Sequence, residues 1–244
     1  MHSTSHSDSA QPASKLDWAL YYIRHGIYVV PLHHIQKNGT CSCEQPDCKR
    51  SAGKHPRLSD WTKLATTDEK MIQMWWRTWP RANVGCVCGK ESDLSGLDLD
   101  EGGADTVKRL EATLGPLPPC PRVLTGRGGV HLLFRYAPGI SNGVKPEPGL
   151  DWRNEGGQLV GAGSFTVGEY YFEVGYSLDD LPRPELPPAW IAHFAGKQNG
   201  GGSGFQFKSD TIFEGEGRNN EMFRFCRSLK ARGTSAEAIW AAAG

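Results

Sequence analysis

The sequence feature that most constrains the fold is the alternation in Leu97-Asp98-Leu99-Asp100, which lies within the stretch from Leu94 to Gly103. Successive side chains of a β-strand point to opposite faces, so this pattern predicts a strand that buries both leucines and directs both carboxylates the same way. Neighbouring carboxylates repel and raise each other's pKa unless a cation lies between them. Mg²⁺ prefers carboxylate oxygens and leaves positions open for substrate phosphates, so the stretch is a candidate divalent-cation site. The alternative is an exposed strand end that caps a helix beginning at Ala104.

Size and charge narrow the class of protein. The 244 residues can form one large domain, or one domain with a small appendage, and the net charge is zero. This balance argues against a protein that coats nucleic acid, but it allows an enzyme with a local basic groove. No apolar run reaches 18 residues and the N-terminal segment lacks a signal-peptide core, so we expect a cytoplasmic protein without a membrane span.

The cysteines predict a zinc site. The chain has seven, an odd number, and three of them cluster at Cys41, Cys43 and Cys48, ahead of His55. Without a secretion signal, such clustering favours metal binding in a reducing compartment over disulfides. Three thiolates and one imidazole complete a tetrahedral Zn²⁺ site, which is structural because no coordination position stays open. The cysteines lie in a polar loop, residues 36–60 (the cysteine loop), which has nothing apolar to pack, so the metal would serve as its core. The alternative is a set of free loop thiols.

Hydrophobic periodicity predicts a mixture of helices and short strands. Helices are predicted at 14–26, 66–80 and 104–114, the second opened by a capping box from Thr66 to Glu69. Strands are predicted at 27–32, 83–89, 94–100, 122–125 and 130–136, with further short strands inside 150–160 and 164–174. Cys86 and Cys88 lie on one face of the second strand and are interpreted as buried small hydrophobes. After Ile191 the pattern weakens.

A glycine-rich turn is the second candidate site. It runs from Thr125 through Gly126-Arg127-Gly128-Gly129 to His131 and joins two strands of a predicted hairpin. Glycines permit a ligand to approach the backbone closely, and an arginine can grip phosphate oxygens. His131 lies within an apolar strand, so the alternative interpretation is a hydrogen-bonded core histidine.

A third motif, Gly149 to Val160, carries Asp151 and Arg153 on one predicted strand face. One interpretation is a surface ion pair, which contributes little to stability. The functional interpretation is a third metal-binding carboxylate beside an arginine that contacts a triphosphate or a template strand.

Taken in order, the motifs resemble the archaeo-eukaryotic primase superfamily, and in particular the bifunctional primase/polymerase (prim-pol) domain of plasmid, phage and prophage replication proteins. The resemblance covers about residues 16–196. It rests on four motifs: G-K-H-P at 53–56, after the three clustered cysteines; the strand at 97–100; T-G-R-G-G-V-H at 125–131; and G-L-D-W-R-N-E-G-G-Q-L-V at 149–160.

The resemblance implies roles for individual residues. Asp98, Asp100 and Asp151 would ligate two catalytic Mg²⁺ or Mn²⁺ ions about 3.5–4 Å apart. His131 would contact the phosphates of the incoming nucleotide. The further nucleotide-binding candidates are Arg127, Gly128, Gly129, Arg153 and Lys54. Some relatives carry a serine two residues before the histidine; Gly129 stands there in this chain, so a backbone amide would have to substitute.

The implied fold class is α+β: an RRM-like primase/polymerase catalytic fold with a second α/β subdomain and a projecting zinc loop, followed by the start of a helical domain. The expected organisation is a disordered tail at 1–14, a catalytic domain at 15–196, a flexible linker at 197–204, and the start of a helical segment at 205–244. Expected partners are single-stranded DNA template, NTPs or dNTPs, and a helicase domain or protein.

Three other functions are weighed against this one. A Mn²⁺-dependent glycosyltransferase would use the D-x-D strand end, but it leaves the cysteine loop and the motif at 149–157 without a role. A non-catalytic zinc-loop DNA-binding module is opposed by the three intact carboxylates. A rolling-circle initiator needs paired histidines flanking an apolar residue, and the adjacent His33 and His34 have the wrong spacing for one strand face.

Overall fold

The computed structural model describes residues 12–45, 48 and 51–197, and its strands form two antiparallel sheets. The helices are α1 (Lys15–Arg24), α2 (Trp61–Leu64), α3 (Glu69–Thr78), α4 (Gly103–Leu114) and α5 (Pro188–Lys197). The strands are β1 (Val29–Leu32), β2 (Asn83–Val87), β3 (Ser95–Leu99), β4 (Arg122–Leu124), β5 (Val130–Phe134), β6 (Leu150–Arg153), β7 (Gln158–Val160) and β8 (Tyr171–Phe172). The protein is therefore a mixed α/β fold.

The smaller sheet has the strand order β1-β2-β7 and is accompanied by α1 and α3. Ser14 begins α1 with the predicted cap, and its hydroxyl accepts a hydrogen bond from the Asp17 amide in a capping box. The capping box predicted for α3 is wrong. Asp68 is the N-cap there, because its carboxylate accepts hydrogen bonds from the amides of Lys70 and Met71.

The larger sheet has the strand order β6-β3-β5-β4-β8, and the strand β3 contains most of the leucine–aspartate alternation. Leu97 and Leu99 are buried, as predicted. The predicted hairpin is confirmed as β4 and β5, which pair antiparallel with Val123 opposite His131.

One face of the larger sheet forms a hydrophobic core. Side chains of β3, β5 and β6 on this face pack with α4 and α5. The buried members of this cluster include Leu97, Leu99, Leu110, Leu132, Phe134, Leu150, Trp152, Trp190 and Phe194. Because side chains alternate along a strand, the opposite face presents the residues between them, and these are the candidate site residues.

The edge strand β6 is covered by the segment that precedes it. The Trp152 amide donates to the Val144 carbonyl at 2.8 Å, and the Gly143 amide donates to the Trp152 carbonyl at 2.8 Å. At the other edge of the sheet, β8 is only two residues long.

Two helices were absent from the sequence prediction. Helix α2 is one turn, too short for a periodic signal. Helix α5 continues past Ile191, where the pattern was expected to weaken, and it buries Trp190 and Phe194. The expectation that the cysteine loop has nothing apolar to pack is wrong, because Leu58 is buried.

Parts of the expected organisation lie outside the described residues. Of the N-terminal tail expected at 1–14, the structure describes 12–14, and of the linker expected at 197–204 it describes Lys197 alone. The helical segment expected after Gly204 lies wholly outside the described part of the chain. Among the helices that are described, none is long and apolar enough to cross a membrane.

Candidate active site and cysteine loop

Three of the predicted site residues form a row across the larger sheet. Asp98 on β3 lies opposite His131 on β5 and, on its other side, opposite Asp151 on β6. Directly opposed residues of an antiparallel pair have Cβ atoms about 4.5–5.5 Å apart, so the three side chains are neighbours. The distance from His131 Nε2 to Asp98 Oδ1 is 3.5 Å. Sequence periodicity therefore placed each residue on the correct face, and strand register brings them together.

Asp100 continues the same alternation just past the end of β3, where it is exposed. Its amide donates to the Gly149 carbonyl at 2.9 Å, which ties the end of β3 to the segment leading into β6. Its charge contributes to the raised pKa of Asp98 and to that of Asp151. Asp100 thus lies at the end of the row, close enough to act on the other two carboxylates.

Burial and neighbouring charges shift the pKa values of Asp98, Asp151 and His131. Burial, followed by the charge of Asp100, raises the pKa of Asp98 to about 6. Burial raises the pKa of Asp151 against the opposing effect of Arg153, whose guanidinium donates to Asp151 Oδ2 at 2.7 Å. Burial lowers the pKa of His131 to about 3, so its imidazole is neutral at pH 7 and its contact with Asp98 is not an ion pair.

The row has the donors that a hard divalent cation requires. Two opposed carboxylates destabilise a strand pair unless a positive charge separates them. Among the described residues, Asp151 Oδ1 and His131 Nδ1 are buried polar atoms without a hydrogen-bond partner. Buried polar groups are nearly always satisfied, so these free atoms fit a site that is completed by a ligand. Carboxylate oxygens favour Mg²⁺ or Mn²⁺ over softer metals.

Lys54 reaches this row from the cysteine loop. The Gln158 side chain on β7 donates to the Lys54 carbonyl at 2.8 Å and anchors the loop there. The charges of Lys54 and Arg153 act on both Asp98 and His131. Lys54, one of the predicted nucleotide-binding candidates, is therefore close enough for its charge to act on Asp98 and His131.

The glycine-rich turn uses two of its glycines for internal packing. At Gly129 a Cβ would collide with the Leu99 carbonyl oxygen, and at Gly126 it would collide with the backbone of Gly168. The Gly129 amide also donates to Thr125 Oγ1 at 3.0 Å. Gly126 and Gly129 thus have packing roles within the fold, and the Gly129 amide already has a partner. The predicted contact of Gly128 and Gly129 with a nucleotide stays a prediction. Gly128 has open space around it with φ +81°, and Arg127 is exposed at the tip of the turn.

The four predicted zinc ligands cluster. The thiols of Cys41, Cys43 and Cys48 and a nitrogen of His55 lie within 4.8 Å of one another. His55 Nε2 lies 3.5 Å from Cys41 Sγ and 3.2 Å from Cys48 Sγ. A tetrahedron with Zn–S near 2.3 Å and Zn–N near 2.1 Å separates S and N by about 3.6 Å, so the donors fit zinc. Cys86 and Cys88 are buried, as predicted.

Two residues near the row were not anticipated. The Tyr170 ring lies 5.9 Å from the His131 ring, and the charge of Lys145 acts on Asp151. Neither lies inside a motif, and both depend on chain crossings that local patterns do not encode.

Comparison with known proteins gives one family. A family model described as "Bifunctional DNA primase/polymerase, N-terminal" matches residues 19–189, a range that contains the whole row and all four cysteine-loop ligands. No curated protein matches the chain.

Proposed function

The chain belongs to the bifunctional DNA primase/polymerase N-terminal family, and we propose that it makes primers and extends them on single-stranded DNA by nucleotidyl transfer. The observation that carries this proposal is the row of His131, Asp98 and Asp151 on adjacent strands, with Asp100 at its end. A family match alone names a class of reaction. The row supplies a place in this chain where that reaction fits.

We propose that Asp98, Asp100 and Asp151 hold the catalytic Mg²⁺ or Mn²⁺ ions. When bound, two such ions would activate the 3′-hydroxyl and stabilise the leaving pyrophosphate. The 3′-oxygen, after its proton passes to solvent, bonds to the α-phosphorus while the bond to pyrophosphate breaks. Strand register supports this assignment, because it places Asp98 and Asp151 directly opposite each other with Asp100 at the end of the same strand.

The chain's own cations then bind the triphosphate. Lys54 and Arg153 place positive charge next to Asp98 and His131, where negative charge spreads in the transition state. The neutral His131 is suited to donate or accept a hydrogen bond at the phosphates. Arg127, exposed on the turn, is available to the outer phosphates, while the amides of Gly128 and Gly129 contribute only if the turn rearranges.

The wider setting is also part of the proposal. The catalytic fold is RRM-like, residues 15–196 form the catalytic domain, and Zn²⁺ in the cysteine loop is structural. A helical segment follows the linker, and the protein works with a helicase in a plasmid, phage or prophage replication system. These statements rest on the resemblance of the motifs.

The decisive experiment is incubation with unprimed and primed single-stranded DNA, labelled NTPs or dNTPs, and Mg²⁺ or Mn²⁺. We expect Asp98→Asn and Asp100→Asn to abolish incorporation, because each removes a ligand charge while keeping the side-chain shape. Asp105→Asn, in the first turn of α4, is the matched control and should retain full activity. Undiminished synthesis by a double Asp98→Asn, Asp100→Asn variant would overturn the assignment.

A further inference from the structure

A cavity of about 480 Å³ opens beside the row on the β6 side. Its lining includes two of the proposed metal ligands, Asp100 and Asp151, and two lysines, Lys145 and Lys197. The segment at residues 146–150 forms the remainder of the wall. The volume is in the range of small-molecule sites and is sufficient for one nucleotide.

The cavity and the glycine-rich turn flank the carboxylates from opposite sides at one end of the sheet. Val130 at the start of β5 and Leu150 at the start of β6 both lie opposite Leu99, the last residue of β3. The turn at 126–129 therefore adjoins β3 on its β5 side, and the cavity wall adjoins it on its β6 side. The carboxylates lie between these two flanks.

In-line phosphoryl transfer requires this kind of arrangement, because the attacking and leaving oxygens lie on opposite sides of the phosphorus. If the triphosphate lies on the β5 flank with His131 and Lys54, the attacking 3′-hydroxyl must come from the β6 flank. We propose that the cavity binds the 3′-terminal nucleotide of the primer strand and that Lys145 and Lys197 contact its phosphodiester backbone. This inference rests on the proposed function.

Charge at the cavity suits a phosphodiester. Besides Asp100 and Asp151, the described lining contains one carboxylate, Glu147. Its oxygens already pair with three side chains: Lys197 at 3.1 Å, Arg109 at 3.3 Å and His193 at 3.0 Å. The two permanent cations among these partners more than balance Glu147, and Lys145 adds a further positive charge near Asp151. A backbone phosphate at the rim would therefore meet a net positive surface once metal ions neutralise the aspartates.

The wall of the cavity is fixed relative to the site. The Thr106 hydroxyl on α4 donates to the Pro148 carbonyl at 3.1 Å, and the Asp100 amide donates to the Gly149 carbonyl at 2.9 Å. Gly149 packs so closely against Glu101 and Gly103 that a Cβ would not fit. A nucleotide held against this wall is therefore held at a constant distance from Asp100, as positioning of a nucleophile demands.

The test separates primer binding from chemistry. We would measure, by fluorescence anisotropy in Mn²⁺ without nucleotide, the affinity for a primed template with a recessed 3′ end. Lys145→Gln and Lys197→Gln should each weaken binding about threefold to tenfold and reduce the salt slope by about one unit, because each removes one phosphate contact. Mn²⁺-dependent NTP affinity should be unchanged in Lys197→Gln, because this ammonium pairs with Glu147 and not with a proposed metal ligand. Lys108→Gln on the exposed side of α4 is the matched control and should change neither affinity.

Rescue and crosslinking complete the test. Lys145→Arg and Lys197→Arg keep the charge and should restore the primer affinity, which excludes a mere folding defect. A primer carrying 4-thiothymidine at its 3′ end should crosslink within residues 145–151. Crosslinking to residues 126–129, loss of NTP affinity with unchanged primer affinity, or no effect of either lysine variant would overturn the inference.

Failure of the proposed function is recognised separately. Absence of incorporation by the native chain would contradict that function, whereas the binding and crosslinking measurements require no turnover. The two results can therefore be told apart.

Discussion

Asp98 is the residue on which the candidate site depends. It lies between His131 and Asp151 in strand register, and its side chain is only 22% exposed. An ionised carboxylate in this position is poorly solvated and repelled by Asp100. The apo protein therefore carries an electrostatic cost that a bound cation would relieve.

This cost predicts the behaviour of Asp98→Asn. The pKa of Asp98 is about 6 in the folded state, against an ordinary value of 3.8. A raised folded-state pKa means that protonation of Asp98 favours the fold, so the contribution of Asp98 to the free energy of unfolding falls as pH rises from about 4 to about 6 and is constant above that. Removing the charge should raise the stability of the metal-free protein by about 1–3 kcal/mol at pH 8. The gain should shrink as pH falls from 7 to 5, because the native carboxyl then becomes protonated itself.

Thermal denaturation in metal-free buffer across pH 5–8 measures this effect, with Asp105→Asn as the exposed control. Addition of Mn²⁺ should reverse the order, stabilising the native protein more than the variant. A difference in Tm that is the same at every pH would contradict the electrostatic explanation.

At the residue scale, local periodicity predicted the strand face of each side chain, whereas only the family resemblance predicted which side chains are neighbours. Period-two alternation placed Asp98, His131, Asp151 and Arg153 on defined strand faces, and each placement agrees with the structure. Their proximity required the strand order β6-β3-β5, which no local pattern specifies. The effect of Lys54 on the row likewise arises from the anchoring of a distant loop on β7.

Among the elements, the cysteine loop shows how a segment without periodicity can still be ordered. Its backbone is held by isolated bridges, including Leu32 with Pro56 and Ile35 with Cys41. The Gly53 amide donates to Cys41 Sγ at 3.3 Å, the kind of contact that stabilises a thiolate. Metal binding at the Cys41, Cys43, Cys48 and His55 cluster is expected to supply the rest of its stability.

Removal of zinc is therefore expected to destabilise this element. Cys48→Ser should lower zinc content from about one equivalent to near zero and lower Tm, since three ligands bind Zn²⁺ far less tightly than four. Atomic absorption and thermal denaturation are the measurements. Cys120→Ser, a buried cysteine outside the cluster, should retain zinc despite its own packing cost. Zinc-free native protein prepared without chelator would refute the site.

The start of a helix matched the sequence prediction only where a single strong N-cap residue was present. Ser14 caps α1 as its sequence suggests, but Asp68 displaced Thr66 as the cap of α3 because two strong cap residues lie two positions apart. The close approach of Gly129 to Leu99 was not predictable either, because it depends on how β5 meets β3.

For the whole molecule, the most informative contacts join distant segments. A Cβ at Gly96 on β3 would collide with the Leu159 side chain on β7, so the two sheets meet closely there. Asn83 on β2 is 1% exposed and links two other segments. It donates to the carbonyls of Gly53 and Phe165 at 2.9 and 2.7 Å and accepts from the Phe165 amide at 3.0 Å.

Asn83→Ala should consequently destabilise the whole fold. It leaves backbone groups of Gly53 and Phe165 without these partners, at a cost of about 2–4 kcal/mol. Urea denaturation measures the change, and Asn38→Ala at an exposed turn of the cysteine loop should cost under about 1 kcal/mol. Equal costs for the two variants would mean that the Asn83 bonds do not hold these segments together as described.

The covered edge at β6 has a consequence for self-association. An open edge strand offers a row of unpaired amides and carbonyls to which another extended chain can add, and this is a common route to aggregation. Here Gly143 and Val144 already occupy backbone groups of Trp152, and the opposite edge ends in the two-residue β8. The strand that carries Asp151 is thus protected from strand addition by a second chain, and its face stays available for chemistry.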